Sequence, residues 1–173
     1  MSTCTLPENI IPLSPNGFMF SILKLPELSY FSQEVSVPSL SLPIVEVATP
    51  FSFMETAGNI LNYTPLTVTF VVDEDMANYL AISNWMIALG FPENYEQYIS
   101  LLGVDTVSLD DLAKHSSDGT LQILSSNNIP VQTVTFVDLV PTDLGELTFS
   151  STNDDVNYIT CSASFQYSYY TFQ

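Results

Sequence analysis

The carboxylates are the side chains of this sequence with the clearest capacity for chemistry, because many of them occur in three short clusters. These are Asp73-Glu74-Asp75, Asp110-Asp111 and Asn153-Asp154-Asp155. Calcium prefers oxygen ligands of this kind. None of the clusters, however, lies in the loop pattern of a calcium-binding helix–loop–helix, with its central glycine and terminal glutamate. Two helix starts and a hairpin turn account for all three clusters, so we predict no metal site.

Nucleophilic catalysis or zinc binding would need histidine or cysteine, and both residue types are scarce. His115 is the sole histidine, within a polar, loop-like string, and Cys4 and Cys161 are the only cysteines, both remote from it. A nucleophile elbow, a glycine-rich phosphate loop and a zinc spacing are all absent. No spacing supports paired carboxylates for glycoside hydrolysis either. The sequence therefore predicts a protein that is not an enzyme and carries no cofactor.

The charge balance argues against a nucleic-acid-binding protein. Lys24 and Lys114 are the only basic side chains against 19 acidic ones, which gives a formal net charge of −17. Binding to DNA or RNA requires several lysines or arginines to neutralise phosphates. Two interpretations remain open: an acidic protein that its charge keeps dispersed, or the wall of a conduit through which DNA slides without adhering.

The N-terminal sequence lacks the basic and apolar regions of a signal peptide. No apolar run approaches the roughly 18 residues of a membrane span. The two distant cysteines predict no disulfide framework, which favours a reducing compartment. We expect a soluble protein that is made in a cytoplasm and has no membrane partner.

Strands are the elements that would position any site. Between residues 159 and 169 apolar and polar side chains alternate, which predicts one dry face and one hydroxyl-rich face. A single long strand over residues 158–170 is the expected result. Further strands are predicted at residues 18–25, 30–37, 66–72, 121–124 and 131–139. One helix, predicted from residue 76 to residue 89, is apolar nearly all round and should pack on the sheet.

The predicted fold class is mainly β: a β-sandwich or half-barrel with one packed α-helix. We expect an N-terminal arm over residues 1–15 and a single domain over residues 16–173. Charged residues make up 12% of the chain, against about a quarter in an ordinary protein, which predicts a surface partly covered by other subunits. Residues 44–65 read as an apolar hairpin with its turn at residues 57–59.

The C-terminal third has the order of a strand, the string FVDLVPTDLGEL, an acidic turn and a long final strand. In this order it resembles the tail tube proteins of contractile-tailed bacteriophages. The residues that carry the match are Pro141, Thr142, Gly145, Glu146 and Leu147. Residues 16–20, 33–43 and 66–90 extend the resemblance to the front half. Residues 91–130 match less clearly and are interpreted as an insertion.

The resemblance implies an assembly. Subunits of this family form rings, by expectation hexameric, in which their strands join into a ring-shaped β-barrel, and the rings stack into the inner tail tube. The resemblance implies sheath, baseplate and tape-measure proteins as partners, DNA that passes without specific binding, and a virion tail assembled in the host cytoplasm. Residues 44–65 would contact the next ring through Phe51, Phe53 and Met54. The charge suggests an acidic lumen, with candidates Glu34, Glu46, Asp138 and Glu146.

Other functions also fit the sequence. A baseplate ring that initiates the tube, or a tube protein of a bacterial secretion system, would share the same features. A stand-alone β-sandwich that binds carbohydrate belongs to a different class. It predicts a monomer with tyrosines clustered on loops, and the tyrosines available for it are Tyr95, Tyr98, Tyr167, Tyr169 and Tyr170.

Overall fold

The protein is built on a large antiparallel sheet, with a helix packing against it and a separate hairpin. The computed structural model describes residues 12–90, 93–94, 96–102, 115–150 and 158–173. The strands and helices are β1 (Phe18–Ile22), α1 (Leu28–Phe31), β2 (Ser32–Val35), β3 (Leu40–Ser41), β4 (Ile44–Ala48), β5 (Phe53–Ala57), β6 (Asn62–Tyr63), β7 (Leu66–Val71), α2 (Ala77–Gly90), α3 (Glu96–Leu102), β8 (Ser117–Leu124), β9 (Pro130–Leu144), β10 (Thr160–Gln166) and β11 (Tyr169–Phe172).

The large sheet has the order β1-β8-β9-β10-β7-β2, and β11 also pairs with β9. Strand β9, with 15 residues, is the longest strand in the described part of the chain. β10 and β11 lie along the same edge of β9, because Gln166 pairs with Val140 and Tyr169 pairs with Val137 in one continuous register. The pairs β3–β6 and β4–β5 form two small sheets of their own. The mainly β class with one packed helix is confirmed.

One face of the large sheet packs on the hydrophobic core that the described residues form. Phe20, Phe70, Phe136 and Phe165 come from four different strands and are all completely buried. Burying each such side chain stabilises the fold by about 1.5–3 kcal/mol. Helix α2 covers this core and confirms the helix that the sequence predicts. Trp85 of α2 is buried in the core and donates its indole N–H to the carbonyl oxygen of His115 at 3.0 Å.

Local hydrogen bonds explain the first acidic cluster. The backbone N–H of Glu74 donates to the Asp73 carboxylate at 2.9 Å. The buried Asn78 accepts from the N–H of Asp73 and donates to the carbonyl oxygen of Val71 at 2.8 Å. These contacts join the end of β7 to the start of α2. The other two clusters, at residues 110–111 and 153–155, lie outside the described residues.

The prediction of one uninterrupted strand over residues 158–170 is wrong. The strand breaks at Tyr167 and Ser168, between β10 and β11. Opposite the break, Asp138 of β9 adopts a φ of 59°, which an ordinary extended strand does not allow. The alternation therefore slips, so that Tyr167 and then Tyr170 turn towards the core while Tyr169 is exposed.

The middle of the chain contributes to the large sheet. β8 lies within residues 91–130 and separates β1 from β9. That this segment is an insertion relative to the family stays a prediction. At Gly119 of β8 an added Cβ would lie 2.4 Å from Cδ1 of Leu139, so a larger residue would have to displace the Leu139 side chain of β9. β1 and β2 are shorter than predicted, since α1 occupies residues 28–31 between them.

Of the predicted N-terminal arm, residues 12–15 are described and residues 1–11 are not. No helix among the described ranges is both long enough and apolar enough to cross a membrane.

Candidate assembly surface

Residues 40–63 form an extension that we call the hairpin arm. Its base is the β3–β6 pair and its body is the β4–β5 pair. The predicted turn at residues 57–59 is wrong, because the chain reverses at residues 49–52. There the N–H of Thr49 donates to the carbonyl oxygen of Ser52 at 2.9 Å. Gly58 instead lies near the base, where its N–H donates to the carbonyl oxygen of Pro43 at 2.8 Å.

Every residue of β4 and β5 is exposed. The exposed fractions are 100% for Phe51, 70% for Phe53 and 56% for Met54. A protein that acts alone seldom exposes so continuous an apolar surface. The exposure fits the predicted contact with another ring, and that contact stays a prediction.

The cross-strand register divides the arm into two faces. Directly paired residues share a face, and successive residues alternate. What we call the acidic face has Glu46 opposite Glu55, with apolar pairs on either side; its members are Ile44, Glu46, Ala48, Phe53, Glu55 and Ala57. What we call the apolar face has the members Val45, Val47, Met54 and Thr56. Like charges directly opposite each other destabilise a strand pair. The acidic face therefore destabilises the arm when no partner covers it.

A tyrosine cluster joins the base of the arm to the large sheet. The Tyr167 hydroxyl donates to the carbonyl oxygen of Thr64 at 2.9 Å, and the Tyr170 hydroxyl donates to that of Pro38 at 3.3 Å. Both rings contact the ring of Tyr63 edge-on, with centroids 5.8 Å apart. Burial raises the pKa of Tyr167 to about 12, and the neighbouring tyrosines add to the effect. The entry and exit of the arm are therefore each held by one hydroxyl.

Sequence reasoning missed this cluster. The alternation placed Tyr167 and Tyr169 on the dry face, while the break at residue 168 brings Tyr170 inward instead. The same geometry weakens the carbohydrate-binding alternative, because Tyr167 is buried, Tyr170 is half-buried, and Tyr98 stacks on His115 at 5.0 Å. Tyr95 lies outside the described residues.

The four lumen candidates lie on different elements of the fold. Glu34 lies on β2, an edge strand, opposite Thr69. Asp138 lies in β9, Glu146 follows its end, and Glu46 lies on the hairpin arm. All four side chains are exposed. Their role in a lumen stays a prediction.

Asp138 has a structural environment of its own. Its carboxylate accepts hydrogen bonds from the hydroxyls of Ser116 at 3.0 Å and Ser168 at 3.1 Å. Its backbone N–H donates to the Asp118 carboxylate at 3.2 Å. These contacts join Asp138 of β9 to the start of β8 on one side and to the break between β10 and β11 on the other.

The residues that carry the family resemblance attach the end of β9 to β10. Thr142 donates its hydroxyl to the carbonyl oxygen of Ser164 at 3.1 Å, and the N–H of Gly145 donates to that of Ser162 at 2.7 Å. A Cβ at Gly145 would lie 3.0 Å from this same Ser162 oxygen, so glycine permits the close approach. Pro141 is buried, Leu147 packs partly on the core and Glu146 is exposed.

The described residues contain no group of three or more histidine, cysteine or acidic side chains that could hold a metal ion. His115 contacts the Tyr98 hydroxyl through Nε2. Cys161 is a free, buried thiol, and burial raises its pKa. Cys4 and Lys114 lie outside the described residues.

No family model matches the chain. It is similar to the tail tube terminator protein of Enterobacteria phage T4, with 26% identity over 143 residues, which cover 80% of this chain and 74% of that protein. That relative is named as a component of the tail, and this agrees with the prediction of a protein that is not an enzyme.

Solved structures of contractile injection systems share the fold. A chain of the anti-feeding prophage cap, described as a tube terminating cap, has a TM-score of 0.64 at 11% identity over 99% of this chain and 97% of that one. A chain of the anti-feeding prophage baseplate gives 0.62 at 13% identity, over 94% and 96%. A chain of the PVC sheath/tube terminator gives 0.58 at 14% identity, over 94% and 97%. These structures show the fold, and together with the T4 relative they confirm the resemblance to tail tube-related proteins of contractile-tailed phages.

Proposed function

We propose that the protein is a structural component that terminates the tail tube of a contractile phage. In this proposal several copies close into a ring, and the ring binds the end of the tube. The exposed hairpin arm is the observation that carries the proposal, because its apolar surface requires a partner. The T4 relative supports the terminator role over other positions in the tail, since it is itself named a tail tube terminator.

Ring closure would use the edges of the large sheet. β1 and β2 lie at its two ends, and within the described part of the chain neither pairs with a further strand on its outer side. Open strand edges invite pairing with another chain. A head-to-tail contact between unlike edges closes into a ring when the rotation per subunit fits. Six copies per ring is the number that the family resemblance favours.

The proposal includes the expected partners and place of action. The ring would contact the tail tube and the sheath within the virion tail, and it would be assembled in the host cytoplasm. Baseplate and tape-measure proteins would be more distant partners. DNA would pass through the ring without specific binding, since a net charge of −17 per subunit repels phosphates.

The carboxylates of the large sheet are the better candidates for a lumen. Glu34, Asp138 and Glu146 lie on or beside that sheet, whereas Glu46 lies on the hairpin arm. We expect replacement of the first three by Lys to slow DNA ejection while rings still form. Unchanged ejection by all three variants would contradict a lumen role.

A second candidate is a ring elsewhere in the tube, either the tube itself or its start at the baseplate. The fold likeness to a baseplate chain, with a TM-score of 0.62, favours this alternative. The two candidates differ in behaviour: a tube protein polymerises into long tubes, while a terminator stops at a ring and blocks further growth.

Negative-stain electron microscopy tests both candidates. The purified protein is imaged alone, and then mixed with tail tubes isolated from the phage that encodes it. Rings alone, and tubes closed at one end after mixing, would support the terminator. Hollow tubes from the protein alone would support the tube protein instead. Particles that stay monomeric in both samples, with bare tube ends, would contradict both.

A further inference from the structure

The acidic face of the hairpin arm contains an unusual pair. Glu46 on β4 lies directly opposite Glu55 on β5, and apolar pairs lie on both sides of them. Both carboxylates are exposed. Two like charges at this position weaken the isolated arm. A contact that covers the acidic face would desolvate both carboxylates, and that requires opposite charges from the other side.

A second copy of this chain is poorly suited to supply those charges. Each copy has 2 basic and 19 acidic side chains. Of the two lysines, Lys24 already lies over the ring of Trp85, with its Nζ 5.1 Å from the ring centroid. If the acidic face contacted another copy, its carboxylates would therefore meet mostly other carboxylates and few lysines.

We propose that the acidic face of the hairpin arm docks on a different protein, whose surface presents lysine or arginine side chains beside an apolar groove. The basic groups would pair with Glu46 and Glu55, while Phe53 and the exposed Phe51 at the turn enter the groove. This inference rests on the proposed function, since the partner would be the tube component on which the ring docks. It adds that the stacking contact is heterotypic and depends on charge, whereas ring closure is homotypic and does not use the acidic face.

The same charges argue against other occupants of the arm. An anionic membrane surface would repel the acidic face, although aromatic side chains at a turn suit insertion into lipid. A nucleic acid would be repelled in the same way. The arm therefore selects a partner that is both basic and apolar.

The test compares charge variants in tube capping. The double variant Glu46→Lys/Glu55→Lys reverses the acidic face, and Glu46→Gln/Glu55→Gln neutralises it with little change in shape. The control Glu74→Lys/Asp75→Lys reverses two exposed carboxylates in the turn before α2, outside the arm. Ring formation is followed by sedimentation velocity, and binding to isolated tail tubes is followed by co-sedimentation at about 50 and 500 mM salt, since the higher salt screens such contacts.

We expect the reversed variant to form rings as the wild type does, but to bind tubes at least about tenfold more weakly. The neutral variant should bind with intermediate strength and lose most of the salt dependence. The control should bind as the wild type does.

Three outcomes would overturn the inference. If the wild type caps tubes and the reversed variant caps them equally well, the inference fails and the proposed function stands. If charge reversal changes ring formation, the acidic face binds a second copy. If the wild type itself does not bind tubes, the proposed function and the inference fail together.

Discussion

The large sheet and the hairpin arm contain the same kind of strand in opposite environments. In β10, Cys161, Ala163 and Phe165 alternate with polar residues and are buried. In the arm, Val45 and Val47 lie two positions apart on either side of Glu46, on one face of β4, and are exposed. β10 has a strand on either side and a core beneath it, whereas β4 and β5 have only each other. Apolar alternation therefore indicates that a strand face will be covered, but not whether its own chain will cover it.

The difference also concerns stability. An isolated two-stranded hairpin is marginally stable in water, and the arm carries an opposed pair of carboxylates as well. Its attachment to the sheet is the tyrosine cluster at its base. We therefore expect the sheet to determine the free energy of unfolding, and the arm to determine assembly.

The largest effect on stability should come from truncating a phenylalanine in the sheet, compared with the same change in the arm. Phe165→Ala in β10 removes a completely buried ring, and we expect a loss of about 3–5 kcal/mol in the free energy of unfolding. Phe53→Ala in the arm should change it by about 0.5 kcal/mol or less, while tube binding falls. Urea denaturation measures the first quantity and co-sedimentation the second. Comparable losses of stability would show that the arm is part of the core.

Glycine substitutions sharpen the comparison. An alanine at Gly145 would bring its Cβ within 3.0 Å of the Ser162 oxygen, and one at Gly58 within 2.6 Å of the Pro43 oxygen. We expect Gly145→Ala to cost about 1–3 kcal/mol of global stability. Gly58→Ala should instead separate the two sides of the arm and impair tube binding at a nearly constant melting temperature. Gly90→Ala is the control, because nothing lies within 4 Å of its added Cβ.

The buried Tyr167 predicts a loss of stability in alkali. Its pKa is about 12 in the folded protein, against the ordinary tyrosine value of 10.0. The unfolded chain therefore releases this proton at lower pH than the folded one, so the stabilisation is complete below pH 10 and is lost as pH rises towards 12. We expect this to amount to about 2 kcal/mol. The difference in unfolding free energy between wild type and Tyr167→Phe, followed over that range, isolates the effect; a constant difference would contradict it.

The smallest effect should follow from removing the tyrosine hydroxyls at neutral pH. Tyr167→Phe and Tyr170→Phe keep the rings but lose the donors to Thr64 and Pro38. Each hydrogen bond contributes about 1 kcal/mol. Because these bonds hold the base of the arm, we expect the substitutions to accelerate amide hydrogen exchange more in β3 and β6 than in β8 and β9. Uniformly faster exchange would show that the cluster supports the sheet as a whole.

Much of the fold could be predicted from local sequence. The helix α2 was recognisable from its apolar residues between an acidic start and Gly90, and β10 from its alternation. β8 was predicted only over residues 121–124, because Asp and Gly at positions 118 and 119 are typical of turns. In the structure Gly119 belongs to the strand and lies against the Leu139 side chain.

The site was less predictable than the fold. Exposure of Phe51 followed from composition and resemblance, but the position of the turn did not, since residues 57–59 have the stronger local turn signal. The tyrosine cluster and the opposition of Glu46 to Glu55 depend on register between distant or neighbouring strands. Register is a property of pairs of strands, and no single segment encodes it.

The pairing of β1 with β8 also has a consequence for the order in which the molecule folds. Ser21 and Thr120, which are hydrogen-bonded across this pair, are 99 positions apart in the chain. Such distant pairings form slowly because a long loop must close first, whereas a hairpin forms in about 1–10 μs. The arm therefore samples its folded form while the sheet is still open, and nascent chains present Phe51 and Phe53 to one another before a core exists. Synthesis at low temperature, or alongside a protein that covers the arm, should raise the yield of correctly folded subunits.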